Sequence, residues 1–430
     1  MDRQWGFRTR ALHAGAVPDV ATGARAVPIY QSTSFVFKDT ADAASLFALQ
    51  KFGTVYSRMS NPTVAVLEER LASLDGGLGA VATASGQSAE FLTFAALAGA
   101  GDEIVAAAGL YGGTITQLDV TLRRFGVSTT FVPGADPAAV ADAITDRTKV
   151  VFAEAIANPS GEVADIAGLA EVAHAAGVPL AIDATLATPF LLRPIEHGAD
   201  IVIHSATKFL GGHGTTLGGV VVEAGRFDWG NGRFPSMTEP IPSYGGLSWW
   251  GNFQEFGFLT KLRAEQLRDI GPSLSPTAAF QLLQGVETLP LRMTEHVANA
   301  RAVAEWLDAD SRVSYVRWAG LPGHPHHERA RHYTPLGPGA VFSFGLAGGR
   351  DAGRAFIESL QLCSHLANVG DSRTLVIHPA STTHQQLSES QLRDAGVEPD
   401  LVRISVGLED VDDILWDLDV ALTEACKERA

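Results

Sequence analysis

Between Asn61 and Asp200 short apolar runs alternate with helical segments, and this alternation constrains the fold more than any other feature of the chain. Apolar runs at 80–83, 103–107, 129–132, 150–152 and 178–183 read as strands. Between them, helices are predicted over 62–74, from Ser85 to about 98, from Gly112 to about 124, over 137–144 and over 166–176. Pro62 suits the first turn of the first helix, and Gly76-Gly77 stops it. Strands separated by helices imply a largely parallel sheet covered on both faces. Ligands bind such a sheet beyond the carboxyl ends of its strands. Ser85, Tyr111, Asn158, Asp183 and Lys208 all fall at such ends.

The stretch 200–219 reads DIVIHSATKFLGGHGTTLGG. Ile201, Val202 and Ile203 form a strand suited to burial on both faces. It runs out at His204-Ser205-Ala206-Thr207, and Lys208 follows, with a glycine-rich turn after Phe209 and Leu210. Such a lysine suits a Schiff base with an aldehyde cofactor whose phosphate Ser205 and Thr207 would bind. A surface lysine on a connecting loop is the other reading of this motif alone. Upstream, VPLAIDATLATP (178–189) holds a second apolar strand ending on Asp183. A carboxylate buried there needs a partner, because burying it unpaired is costly. A protonated pyridine nitrogen is one, and pyridoxal phosphate (PLP) acts as an electron sink only while that nitrogen is protonated. An aspartate and a lysine ending successive strands, about 25 residues apart, favour the cofactor reading.

On these residues the chain resembles the fold-type I PLP enzymes of cysteine and methionine metabolism, which include cystathionine γ-synthase, the γ-lyases and O-acetylhomoserine sulfhydrylase. The resemblance covers nearly the whole chain and is most specific at HSATKFLGGHGT. It implies an α/β fold of the PLP-dependent transferase type, a mostly parallel sheet flanked by helices. An N-terminal arm (1–60), a large PLP-binding domain (61–271) and an α+β C-terminal domain (272–430) would make up the chain. Lys208 would hold the cofactor and shuttle protons, with Asp183 on the ring nitrogen and Thr185 also facing the cofactor.

For other residues the local reading leaves two possibilities that the resemblance resolves toward the cofactor. Ser85-Gly86-Gln87 is either a capped helix start or a phosphate site built from helix N–H groups. Tyr111 is a packed aromatic or, as in the family, the ring stacked on the cofactor that assists proton transfer. Asn158 forms a turn before Pro159 or contacts the cofactor's phenolic oxygen and the substrate. Tyr56 and Arg58 share one face of an extended segment. They are a solvated pair or, as the family implies, a grip on the cofactor phosphate of a neighbouring subunit, with Tyr56 also near the substrate. Arg403 stands mid-strand in LVRISVGLED, where an arginine is almost never buried without a partner. The family uses this arginine for the substrate's α-carboxylate. Ala184 and Leu186 depart from the asparagine and phenylalanine of many relatives, and Ile115-Thr116-Gln117 replaces a usual aromatic.

The long loop 227–252, rich in Pro, Gly and aromatics, is expected to be a lid or interface element. That insertion and NVGDSRTLVIHPASTTHQQL (368–387) resemble the sulfhydrylase subgroup. The implied reaction is γ-replacement on O-acetyl-L-homoserine by sulfide or a thiol, in methionine biosynthesis. The alternatives are a γ-lyase, γ-replacement on another acylhomoserine, and a silent PLP-binding protein. Beyond the loop, helices are expected over 255–268, 290–306, 349–360 and 411–426, with strands at 340–345, 374–377 and 401–405.

A chain of 430 residues, 46% apolar, can bury a large core. Its net charge of −16 argues against nucleic acid or an anionic membrane as partner. Two cysteines and no apolar run of signal-peptide or membrane-spanning length suit a cytoplasmic enzyme of small substrates. Family habit implies a homotetramer of two active dimers. The histidines of GHPHHERARHYTP (323–335) lack metal-site spacing and read as a solvated loop. GGHGTTLGG is not a dinucleotide fingerprint, since Leu217 replaces the third glycine.

Overall fold

The computed structural model describes residues 5–382 and 398–427. Among these, seven strands form one sheet: β1 (Gly79–Thr83), β2 (Glu103–Ala107), β3 (Ser128–Val132), β4 (Thr148–Glu154), β5 (Leu180–Asp183), β6 (Ile201–Ser205) and β7 (Gly219–Glu223). Their spatial order is β1-β7-β6-β5-β4-β2-β3. The pairs from β3 to β6 are parallel, whereas β7 runs antiparallel to both β6 and β1. Between β6 and β7 the glycine-rich connection holds no helix to carry the chain back along the sheet, so β7 returns antiparallel. β2, β6 and β7 are buried at nearly every position, as in a sheet covered on both faces.

The covering helices start and stop on local signals. Asn61 accepts the Thr63 N–H ahead of helix Pro62–Asp75, and Gly76 ends it in the left-handed region at φ 77°. Leu67, Leu71 and Leu74 of that helix are fully buried, each worth roughly 1.5–3 kcal/mol over exposure.

A second sheet follows: β8 (Val313–Arg317), β9 (Val341–Leu346), β10 (Ser364–His365), β11 (Leu375–Ile377) and β12 (Leu401–Ser405), in the order β10-β11-β12-β9-β8. Apart from the parallel β10–β11 pair it is antiparallel, and helices Gly349–Ser359 and Val411–Lys427 pack on each other beside it.

Some elements differ from their sequence signals. Helix Pro276–Glu287 starts on a Ser275 cap and Pro276, and Gly285 sits inside its last turn instead of ending it early. The helix after Tyr111 breaks into an α turn (Gly112–Thr116), a π turn (Gln117–Thr121) and a 3-10 turn (Leu122–Phe125). The 227–252 segment is no plain loop: it carries helical turns at Pro235–Thr238, Pro242–Tyr244 and Trp249–Phe253. Aromatic contact orders it. The Trp229 ring stacks on Phe258 at 5.1 Å, and its indole N–H donates to Glu223 at the end of β7. The histidine-rich segment includes a short helix, His327–Tyr333. Among the described residues no His, Cys, Asp or Glu cluster is arranged to hold a metal, and no helix is long and apolar enough to cross a membrane. Of the 368–387 segment, residues 383–387 lie outside the described residues.

Helix Leu289–Asp308 joins the two parts through Arg292, which is buried without a carboxylate partner among the described residues. Its guanidinium donates to the carbonyls of Phe209 (2.8 Å), Leu210 (3.2 Å) and Gly285 (2.6 Å). Burial lowers its pKa to about 10. Arg292→Met removes this donor from the two carbonyls that follow Lys208. It should lower the unfolding free energy by about 2–3 kcal/mol in urea titrations, and an unchanged midpoint would refute the clasp.

Candidate active site

Parallel strands finish on the same edge of a sheet, so the residues that follow β4, β5 and β6 converge. Glu154 stands opposite Asp183, and Asp183 opposite Ile203, in adjacent strands. A cavity of about 210 Å³ opens at this edge. Ser85, Gly86, Gln87, Tyr111, Asn158, Asp183, Thr185, Ser205, Thr207, Lys208 and Arg403 all line it. Tyr56 and Arg58 do not. They lie beside Gly271, Ser273 and Ser275, with the Arg58 guanidinium 5.2 Å from the centre of the Tyr56 ring. Within one chain, therefore, the arm does not reach Lys208.

The Lys208 ammonium donates to the side-chain oxygen of Asn368 at 2.5 Å. Burial, helped by the charge of Arg403, lowers its pKa to about 8. Arg403 comes from β12 of the second sheet and donates to the Asn368 backbone carbonyl at 3.2 Å. Burial lowers its pKa to about 10, and among the described residues no carboxylate pairs with it. Its fork therefore remains available to a carboxylate from outside. Gly370 explains how these segments come so close. At φ 76° it lies against the lysine, and a Cβ there would sit 2.6 Å from the Phe209 nitrogen and 3.0 Å from the Lys208 Cβ.

Asp183 is half-buried, and desolvation raises its pKa, opposed by hydrogen bonding to Thr185 and Glu90 and by the charge of His204. The Thr185 N–H donates to it at 2.7 Å, and the Thr185 hydroxyl accepts the Ser205 N–H at 2.8 Å. Two further acids share the cavity wall. Glu90 accepts from the Thr114 hydroxyl (2.9 Å) and from Gln87 (2.9 Å), and burial together with Asp183 raises its pKa well above the usual range. Glu154 is likewise pushed up to about 8 by burial and Asp183. Three carboxyls in one buried space cannot all ionise.

At the opposite end of the candidate set, Ser85 caps helix Gly86–Leu97 by accepting the Ser88 N–H at 3.2 Å. The N–H groups of Gly86 and Gln87 then have no partner within the helix. Gly86 lies tight against β6, since a Cβ on it would fall 2.6 Å from the Ser205 Cβ. The Thr207 hydroxyl pins the following turn, donating to the Gly218 carbonyl and accepting the Gly218 N–H. Asn158 has a buried side-chain oxygen with no partner. Tyr111, 52% exposed, stands at the cavity wall. Leu186 also lines the cavity, while the neighbouring Ala184 is fully buried.

The site residues missing from the sequence reading are Glu90, Glu154 and Asn368. A glutamate inside a helix or at a strand end defaults to solvent, and only tertiary burial shows otherwise. NVGD (368–371) was visible as a motif, but nothing in it marks Asn368 as a lysine partner.

The residues present fit a phosphorylated pyridine aldehyde. They offer an amine of lowered pKa, a half-buried carboxylate for a ring nitrogen, an open helix start beside hydroxyls for a phosphate, and a buried amide oxygen without a partner. The family model for Cys/Met metabolism PLP-dependent enzymes matches residues 8–423. An O-acetyl-L-homoserine sulfhydrylase from Leptospira meyeri is 50% identical over 431 residues, covering 98% of each chain. A homocysteine synthase from Schizosaccharomyces pombe is 50% identical and covers 97% of this chain and 98% of its own. The crystal structure of a putative O-acetylhomoserine (thiol)-lyase from Campylobacter jejuni, carrying a pyridoxyl-lysine phosphate, superposes with a TM-score of 0.94. It is 36% identical, over 97% of this chain and all of that one. The chain belongs to the Cys/Met metabolism PLP-dependent enzymes.

Proposed function

We propose that this enzyme catalyses γ-replacement on O-acetyl-L-homoserine, giving L-homocysteine and acetate with sulfide, or methionine with methanethiol, in methionine biosynthesis. The Cγ–O bond of the ester breaks, acetate leaves with the electron pair, and the sulfur nucleophile forms the Cγ–S bond. The observation that carries the reading is the chain Lys208–Asn368–Arg403, which sets a lowered-pKa amine beside an unpaired guanidinium. Relatives named for this chemistry match this chain from end to end.

Bound PLP supplies an electron sink for charge leaving the substrate's α-carbon. Lys208 holds the cofactor. Its amine, partly unprotonated near neutral pH, takes the Cα proton and returns protons along the carbon chain. Asp183 holds the ring nitrogen, and Ser85, Gly86, Gln87, Ser205 and Thr207 hold the phosphate, with Thr185 bracing Ser205. Arg403 grips the α-carboxylate and so orients the Cα–H bond. Asn158 orients cofactor and substrate, and Tyr111 covers the ring and readies the attacking thiol. Tyr56 and Arg58, which lie away from Lys208 in their own chain, grip the phosphate in a neighbouring subunit. The active unit is then a dimer, and two dimers make a homotetramer. Residues 61–271 serve as the cofactor domain and 272–430 as the closing domain. Two free cysteines suit a cytoplasmic setting.

Product analysis tests the reaction directly. O-Acetylhomoserine should yield homocysteine only when sulfide is present. 2-Oxobutyrate and ammonia formed with or without sulfide would make the enzyme a γ-lyase instead.

The Lys208 amine must lose its proton before it attacks an aldehyde, so PLP uptake by the cofactor-free protein should quicken as pH rises through about 8. Borohydride-trapped incorporation measures this, and a flat profile would contradict it. Lys208→Ala should lower turnover at least about 1,000-fold.

Arg403→Lys keeps the charge but loses the fork. It should raise KM for O-acetylhomoserine about 30-fold, equivalent to about 2 kcal/mol of charge-assisted hydrogen bonding, with a smaller change in kcat. An unchanged KM would remove Arg403 from carboxylate binding.

A further inference from the structure

Glu154 closes β4 and lines the same cavity as Lys208, yet no step above uses it. Its two carboxyl oxygens receive two different segments. Oε1 accepts the N–H of Tyr111 at 2.5 Å, and Oε2 accepts the N–H of Asn158 at 3.2 Å. Neither segment is in a strand at that point, so no sheet ladder fixes these two N–H groups. Three residues beyond Tyr111 the chain is tied again, where the Thr114 hydroxyl donates to Glu90 at 2.9 Å and Gln117 donates to the Gln87 carbonyl at 3.0 Å. The half-exposed Tyr111 ring therefore takes its position from a short backbone span held at both ends. Glu154 is itself held by β4, in register with Asp183.

We propose that Glu154 is a positioning residue, a two-pronged clamp that fixes Tyr111 and Asn158 relative to each other on the cavity wall. This rests on the roles given to those two residues in the proposed reaction. A misplacement of about 1 Å in a reacting constellation costs roughly 100-fold in rate, which is the scale on which such a clamp matters. The two N–H donors favour an ionised carboxylate. Burial and Asp183 oppose it, and Glu90 from helix Gly86–Leu97 shares the wall with its own pKa raised by burial and Asp183. Among the described residues, the cations lining the cavity are Lys208 and Arg403.

The test compares Glu154→Gln and Glu154→Ala with wild type, each as PLP-loaded enzyme. The glutamine keeps the size and one carbonyl acceptor, while the alanine keeps neither. We expect kcat to fall about 10-fold in Glu154→Gln and about 100-fold in Glu154→Ala. KM for O-acetylhomoserine should move by less than about threefold, because Arg403 is untouched. The visible circular dichroism of the bound cofactor, measured at full occupancy, should weaken in the same order as Tyr111 loosens. Lower thermal midpoints with wild-type kcat and dichroism in both variants would reduce Glu154 to fold support and overturn the proposal. If Glu154→Ala does not fold, the isosteric glutamine decides alone, and wild-type values for it overturn the clamp. If wild-type enzyme itself forms no homocysteine, the reaction assignment fails. The dichroism still reads the clamp, and equal spectra in wild type and Glu154→Gln would overturn it.

Discussion

A charge withdrawn from water without its counter-ion is expensive, and this fold gathers several half-buried ones at one place. Lys208 faces a neutral amide, Arg403 faces a backbone carbonyl, and Asp183 faces two other acids. A cavity selected for stability alone would pair the lysine with the aspartate, or replace both with apolar groups. Keeping them apart leaves each ready for a group of opposite or complementary character. The lowered pKa of the lysine and the raised pKa of the acids express the same cost seen from two sides. The rest of the chain supplies the rigidity that holds these groups apart.

That rigidity comes from parallel pairing. β4, β5 and β6 are locked in register and buried, so Glu154, Asp183 and the residues after Ser205 emerge side by side. The second sheet then brings Arg403 to the same edge. The close approach of Gly370 to Lys208 and the Arg292 clasp on Phe209 and Leu210 fix the two sheets around the lysine. Asn368 is the joint between them, with its side chain on Lys208 and its carbonyl on Arg403. Anything that shifts one sheet against the other moves the Arg403 guanidinium relative to the Lys208 amine.

Much of this was legible before any coordinates. Lys208 and Asp183 were readable because polar residues at the ends of apolar runs are conspicuous, and strand–helix alternation fixes where such ends meet. Arg403 was readable for the same reason, as a cation inside an apolar strand. Glu90, Glu154 and Asn368 were not, because their significance is purely tertiary. Glu90 sits on a helix that could as well turn it to water, and Glu154 looks like an ordinary strand terminus until Tyr111 and Asn158 arrive from elsewhere. The 227–252 segment reads from sequence as a lid or an interface element. In the structure Phe234 packs on Trp229, Trp229 stacks on Phe258, and no residue of the segment lines the cavity.

Tyr56 and Arg58 lie away from Lys208 within one chain, so the proposed phosphate grip would serve a neighbouring subunit. In the same arm as Tyr56, Val17, Val20, Val36 and Phe52 are strongly exposed. Covering that surface with a second copy would bury these residues and bring a foreign Tyr-Arg pair toward a neighbouring cavity. In the proposed dimer, assembly and cofactor binding would be linked, because each would stabilise the arrangement the other needs.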